Sequence, residues 1–167
     1  MFAENFRLGL AALLVGTAAT SEIASVHAGG SPSLVGDGVV KVRSAYPIGE
    51  TIDRLQADIR AKGIVFFSAL DQAELASRAG VKLRPSTLLT FGNPALGTQF
   101  LTSNPAAGLD WPVRLLVVED DHGRVWAEYT DFAWIAQRHH IVNRDAAFQM
   151  ASKVIASITA AVQVKNP

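Results

Sequence analysis

The stretch Val113-Arg114-Leu115-Leu116-Val117-Val118-Glu119-Asp120-Asp121-His122-Gly123-Arg124-Val125-Trp126-Ala127-Glu128-Tyr129 decides how this chain folds. Two β-branched, apolar runs flank Asp120-Asp121-His122-Gly123, which is polar and ends in a glycine able to take positive φ. The segment therefore predicts an antiparallel hairpin.

Working outward, Leu109-Asp110-Trp111-Pro112 leads into the first arm, and Thr87-Leu88-Leu89-Thr90-Phe91 reads as an earlier strand. That strand ends where Gly92-Asn93-Pro94 forces the backbone to turn. Ile64-Val65-Phe66-Phe67-Ser68 follows Gly63 directly, is too short for a helix, and reads as a buried strand. Residues 39–46, closed by Pro47, predict the first strand.

The apolar period changes between these strands. Ile52, Leu55 and Ile59 recur on one helical face after Thr51, a potential N-cap, with Asp53, Arg54, Asp58, Arg60 and Lys62 on the other face and Gly63 as a stop. Asp71 can cap a short helix over residues 72–79, and Asp131 one over residues 132–139. Asp145 can open a long last helix with Ala147, Met150, Val154, Ile155, Ile158 and Ala161 as its core face. Residues 95–103 read as a short helix or an ordered loop. The order is that of an α+β domain, with about five strands in a largely antiparallel sheet and two main helices packed on one face.

The chain has 167 residues, 49% of them apolar and 18% charged, enough to bury a core in one domain. Its 15 basic residues match its 15 acidic ones, so no field gathers polyanions, and nucleic acid is not an expected partner. With no cysteine, thiolate metal sites, disulfides and cysteine nucleophiles are excluded, and no cofactor is expected. Arg7 precedes the apolar run Leu8-Gly9-Leu10-Ala11-Ala12-Leu13-Leu14-Val15-Gly16-Thr17-Ala18-Ala19, the length of a signal segment rather than of a stable membrane span, and Val26-His27-Ala28 has the small-residue pattern of a cleavage site. The organisation expected is a leader over residues 1–28, a flexible linker over 29–38, one domain over 39–164 and a tail over 165–167. Its expected location is periplasmic or secreted.

An ordered series of short motifs resembles the domain of unknown function 302 family over about residues 39–164: Gly63-Ile64-Val65-Phe66, Ala79-Gly80-Val81-Lys82-Leu83-Arg84-Pro85, Phe91-Gly92-Asn93-Pro94, Gly97-Thr98, Leu109-Asp110-Trp111-Pro112, Gly123-Arg124-Val125-Trp126 and Tyr129. The resemblance implies a curved antiparallel sheet backed by two helices, similar to the TATA-box-binding-protein fold, and a homodimer. It implies no general activity. Where members commonly have Asp-His, this chain has Asp71-Gln72, which removes that imidazole.

The candidate ligand-binding residues are Asp71, Arg84, Phe91, Gly92, Asn93, Pro94, Gly97, Thr98 and Arg114. The turn from Gly92 to Thr98 can present backbone N–H groups to an anion or a carbonyl oxygen, or can serve only to turn the chain. Trp111, Trp126 and Trp134, with Phe91, Phe100 and Tyr129, can line an apolar pocket or fill a core. His139-His140 lacks a third metal ligand at local spacing and reads as a polar helix end. Asp71, Asp110, Asp131 and Glu128 carry acid–base chemistry only if the fold brings them together. The expected function is a small-ligand or protein-binding module without catalysis of its own. The alternative is a hydrolase or isomerase with its pocket near Gly92-Asn93-Pro94.

Overall fold

The computed structural model describes residues 36–164; the expected leader, most of the linker and the tail lie outside the described residues. Strands β1 (Val39–Arg43), β2 (Val65–Asp71), β3 (Ser86–Gly92), β4 (Val113–Glu119) and β5 (Val125–Thr130) form one antiparallel sheet in the order β1-β5-β4-β3-β2. Helix α1 (Ile48–Ala61) follows β1, α2 (Gln72–Arg78) follows β2, α3 (Pro94–Ser103) and a 3₁₀ turn (Pro105–Leu109) join β3 to β4, and α4 (Phe132–Arg138) and α5 (Asp145–Ala160) close the domain. This is the α+β fold anticipated from the periodicity.

The hairpin forms as expected, with Glu119 opposite Val125 and Leu115 opposite Tyr129. Asp120 builds its turn. One carboxylate oxygen accepts from the backbone N–H of His122 at 2.8 Å and of Arg124 at 3.0 Å; the other accepts from Arg124 Nε at 2.7 Å and Trp126 Nε1 at 2.9 Å. Gly123 takes the φ of +70° that the reversal requires. Partial burial pushes the Asp120 carboxyl up, but the Trp126, Arg124 and His122 donors outweigh it and hold the group well below the usual carboxylate range. A depressed folded-state value contributes stability above the unfolded value and loses it as pH falls. In denaturant titrations, the stability gap between the parent and Asp120→Asn is expected to be widest near neutrality and to close as pH drops below about 3.9.

One face of the sheet carries the core. Leu89, Phe91, Leu115, Val117 and Ala127 alternate with outward residues along β3, β4 and β5, and they meet Leu55 and Ile59 of α1 and Ile155 and Ile158 of α5. Each large side chain buried this way contributes about 1.5–3 kcal/mol. On the other face the row Lys41, Glu128, Leu116, Leu88, Leu70 is half-buried or exposed, with Lys41 Nζ 3.1 Å from Glu128 Oε1 across the strands.

The boundaries differ from expectation in physically instructive ways. Thr51 is not a cap: α1 begins at Ile48 behind Pro47, and Thr51 is buried inside it, its Oγ1 2.7 Å from Ser44 Oγ and donating to the Tyr46 carbonyl at 3.1 Å. The hydroxyl serves to tie β1 to α1. β2 is an edge strand rather than a buried one, because its apolar run lacks a neighbour on its outer side. In α5, Phe148 and Ala151 join the core while Met150 is 54% exposed, and Asp145 is the first helical residue, not the cap.

Candidate functional site

Where β3 ends, Asn93 does what the sequence suggested for a turn residue: its side chain accepts from the Leu96 N–H at 3.2 Å and starts α3, with Pro94 at the first helical position. The helix then passes over a cavity of about 590 Å³. Phe91, Leu96, Phe100, Trp111, Val113 and, from α5, Val154 supply its apolar lining. Lys62, Asn93, Gln99, Lys153 and Ser157 supply its polar atoms, and Met150 belongs to its lining. Among the described residues that line it there is no carboxylate or histidine.

The two glycines of this turn have a packing role. A Cβ on Gly97 would stand 2.0 Å from Trp111 Nε1, and one on Gly92 3.2 Å from the same atom. The indole therefore lies directly on bare backbone, and the glycines make room for it. Gly97→Ala is expected to displace the indole and destabilise the domain by about 1–3 kcal/mol. A reduced urea midpoint with an unchanged slope, accompanied by a shift in tryptophan emission, is the result that checks it.

Behind Trp111 stands a charge cluster that sequence reasoning did not find. The Asp110 carboxylate is only 2% exposed and accepts from Arg114 at 2.9 Å and from Arg138 at 3.1 Å, with His139 Nε2 2.6 Å from Oδ2. His139 is buried as well, and its carbonyl accepts from Asn104 Nδ2 at 2.9 Å. It is the C-cap of α4, with Arg138 in the last turn, as expected of a helix end, but it is buried against Asp110. Asp110 and His139 are 29 residues apart, so no local spacing could reveal the pair. The only signal was an acidic residue wedged between Leu109 and Trp111-Pro112.

The fold distributes the nine candidate residues over separate places. Phe91, Gly92, Asn93 and Gly97 line the cavity. Pro94 and Thr98 are exposed on α3, where Thr98 Oγ1 donates to the Pro94 carbonyl at 2.9 Å. Asp71 lies at the other end of the sheet, opposite Thr87, about 17 Å along β3 from Gly92 at ~3.4 Å per residue. There it caps α2, accepting from the Glu74 N–H at 2.8 Å. Arg84 pairs with Asp121 beside the hairpin turn, and Arg114 pairs with Asp110. Asp71, Asn93 and His139 therefore lie apart, each with its own partner, and do not form an acid–base pair with one another at the turn.

Comparison with known proteins gives three findings. A solved structure, the crystal structure of an uncharacterized conserved protein DUF302 from Bacillus stearothermophilus, superposes with a TM-score of 0.70 over 77% of this chain and 100% of that one, at 17% identity, which shows the shared fold. Fluoride-specific ion channel FluC 1 of Brucella suis biovar 1 (strain 1330) is 39% identical over 109 residues, covering 65% of this chain and 43% of that protein. Fluoride-specific ion channel FluC 2 of Brucella melitensis biotype 1 matches at the same identity over 40% of its length. This chain thus spans about two fifths of the curated relatives it matches. Relatives named as ion channels overturn the expectation of a stand-alone small-ligand or protein-binding module, and with it the hydrolase or isomerase alternative. Sequence could not reveal this, because the turn and the aromatic residues that suggested a binding pocket are equally the parts of a packed fold. The profile of the domain of unknown function DUF302 matches residues 40–163, and the chain belongs to that family.

Proposed function

We propose that this domain serves fluoride permeation, as the part of a fluoride-channel assembly that lies outside the hydrocarbon layer. One pairing of observations carries the reading. Relatives 39% identical to this chain are named fluoride-specific ion channels, while the shared stretch makes up 40–43% of their length. Among the described residues, no helix is long and apolar enough to cross a membrane. The aligned stretch is 109 residues long and the family match runs over 40–163, so most of it falls within the domain described above. A path for a small anion needs spanning segments that shield the charge from hydrocarbon. In this reading those segments lie in the remaining part of the relatives, and the present domain acts on them from the water side. Its leader over residues 1–28 delivers it to the exported side.

The test is fluoride efflux from KF-loaded proteoliposomes, followed with a fluoride electrode, with a FluC channel reconstituted alone or together with the whole exported chain. The chain is expected to co-purify with the channel, to lack residues 1–28 by intact mass, and to change the initial efflux rate by about fivefold or more. An unchanged rate without co-purification overturns the reading. Retention of residues 1–28 overturns its placement on the exported side.

A further inference from the structure

β2 stands at one edge of the sheet and pairs only with β3, so the backbone N–H and C=O groups on its outer side have no strand partner among the described residues. Such edges invite pairing with another chain, and proteins ordinarily guard them with lysine, proline, bulges or a covering segment. The two edges of this sheet are treated differently. β1 carries Lys41 and Arg43, and the chain following α5 runs along its end: the Ala45 N–H donates to the Val162 carbonyl at 2.8 Å, the Val164 N–H donates to the Arg43 carbonyl at 3.0 Å, and Ser44 bridges to Gln163.

β2 has no lysine or proline, no segment among the described residues pairs with it on its outer side, and a register irregularity beside Phe67 is its one interruption. It reads Val65-Phe66-Phe67-Ser68-Ala69-Leu70 before its first charge at Asp71, without proline or glycine. Val65, Phe67 and Leu70 are 44–45% exposed. A register irregularity between Phe66 and Ser68 goes with Phe67 lying edge-on to the Trp111 ring, centroids 6.2 Å apart at 75°. Beyond it, residues 68–71 pair with β3 in unbroken register, so one half of the edge stays flat and open.

We propose that β2 is a self-recognition edge, on which a second copy of this chain adds its own β2 antiparallel about a two-fold axis near Ala69, joining two five-stranded sheets into one. A two-fold interface requires a patch complementary to itself. Pairing about Ala69 meets that requirement: it sets alanine against alanine, where two small side chains let the backbones close, and sets Ser68 against Leu70 of the second copy. The two Asp71 carboxylates fall at opposite ends, four residues apart, or about 14 Å at ~3.4 Å per residue, so no like charges oppose each other. On the open face the row Leu116, Leu88, Leu70 then meets the polar row Ser68, Thr90, Arg114 of the second copy across the joint.

The chain contains no cysteine, so one introduced thiol can form a disulfide only between copies. Facing Cα atoms in an antiparallel pair are about 4.5–5.5 Å apart, within disulfide reach. Ala69→Cys and, on the opposite edge, Lys41→Cys are made in the whole chain and oxidised with copper phenanthroline. Ala69→Cys is expected to run as a covalent dimer on a non-reducing gel while Lys41→Cys stays a monomer. In native mass spectrometry, Leu70→Lys is expected to weaken the dimer of the otherwise unaltered chain about tenfold or more, with its far-UV circular dichroism unchanged. Equal cross-linking at both edges, or a parent chain that is monomeric at micromolar concentration, overturns the proposal. Should Leu70→Lys fail to fold, the cysteine pair alone decides.

Discussion

Asp110→Ala is expected to lower the stability of the domain by about 3 kcal/mol, near the lower end of the range for breaking a buried ion pair, and its melting temperature by on the order of 10 °C. The carboxylate is 2% exposed and is the shared acceptor of two guanidinium groups, with His139 Nε2 in hydrogen-bonding range. Removing it leaves His139, itself buried, facing a hole, while Arg114 and Arg138, about half exposed, regain water and temper the loss. Arg114→Ala alone is accordingly expected to cost less than about 1 kcal/mol, as exposed partners do. Thermal and urea unfolding of the two variants side by side checks the contrast. An Asp110→Ala loss no larger than that of Arg114→Ala would show that the cluster does not hold the Trp111 segment in place.

The second large effect is expected at Phe100. Its ring stacks on Phe148 with centroids 4.2 Å apart and leans on Phe132 at 6.3 Å, so α3, α4 and α5 meet on this one side chain. Phe100→Ala is expected to destabilise the domain by about 3–5 kcal/mol, from lost burial together with the void left behind. The site opens onto the existing cavity, so water can enter part of the space and the loss falls toward the lower figure. Phe100→Leu is expected to recover much of it, since an apolar side chain then refills most of the volume. A denaturation series in which stability does not fall from the parent through Phe100→Leu to Phe100→Ala would mean that the three helices are held together elsewhere.

Much of the architecture was legible because it is encoded within a few residues. The alternation of Val113-Arg114-Leu115 and the polar Asp120-Asp121-His122-Gly123 specify a hairpin through pleat geometry and one left-handed backbone position. Asp71 and Asp131 cap the helices that follow them because the orphan N–H groups lie two or three residues ahead. The ends were less legible where a side chain had a distant use. Thr51 has the chemistry of a cap but points inward to Ser44, and Met150 has the period of a core residue but lies at the cavity, half in water.

The candidate site was legible only in part. Phe91, Gly92, Asn93 and Gly97 share the cavity because one strand end and one helix start place them there. Asp71, Arg84 and Arg114 were grouped with them by residue type, and the sheet carries each to a different place with its own partner.

By itself, then, the chain's order of residues determined the α+β class, the hairpin and the helix starts at Asp71 and Asp131, which rest on backbone preferences and apolar periods spanning a few neighbours, while its series of short motifs carried the family resemblance. Only the tertiary structure decided that Gly92 and Gly97 make room for the Trp111 indole, that Asp110 meets His139 across 29 positions, and that the apolar run of β2 lies at an open edge. The reason is geometric. Strand order, register and helix docking determine which distant side chains converge, and those depend on how the whole apolar surface packs, a property that no local window of sequence contains.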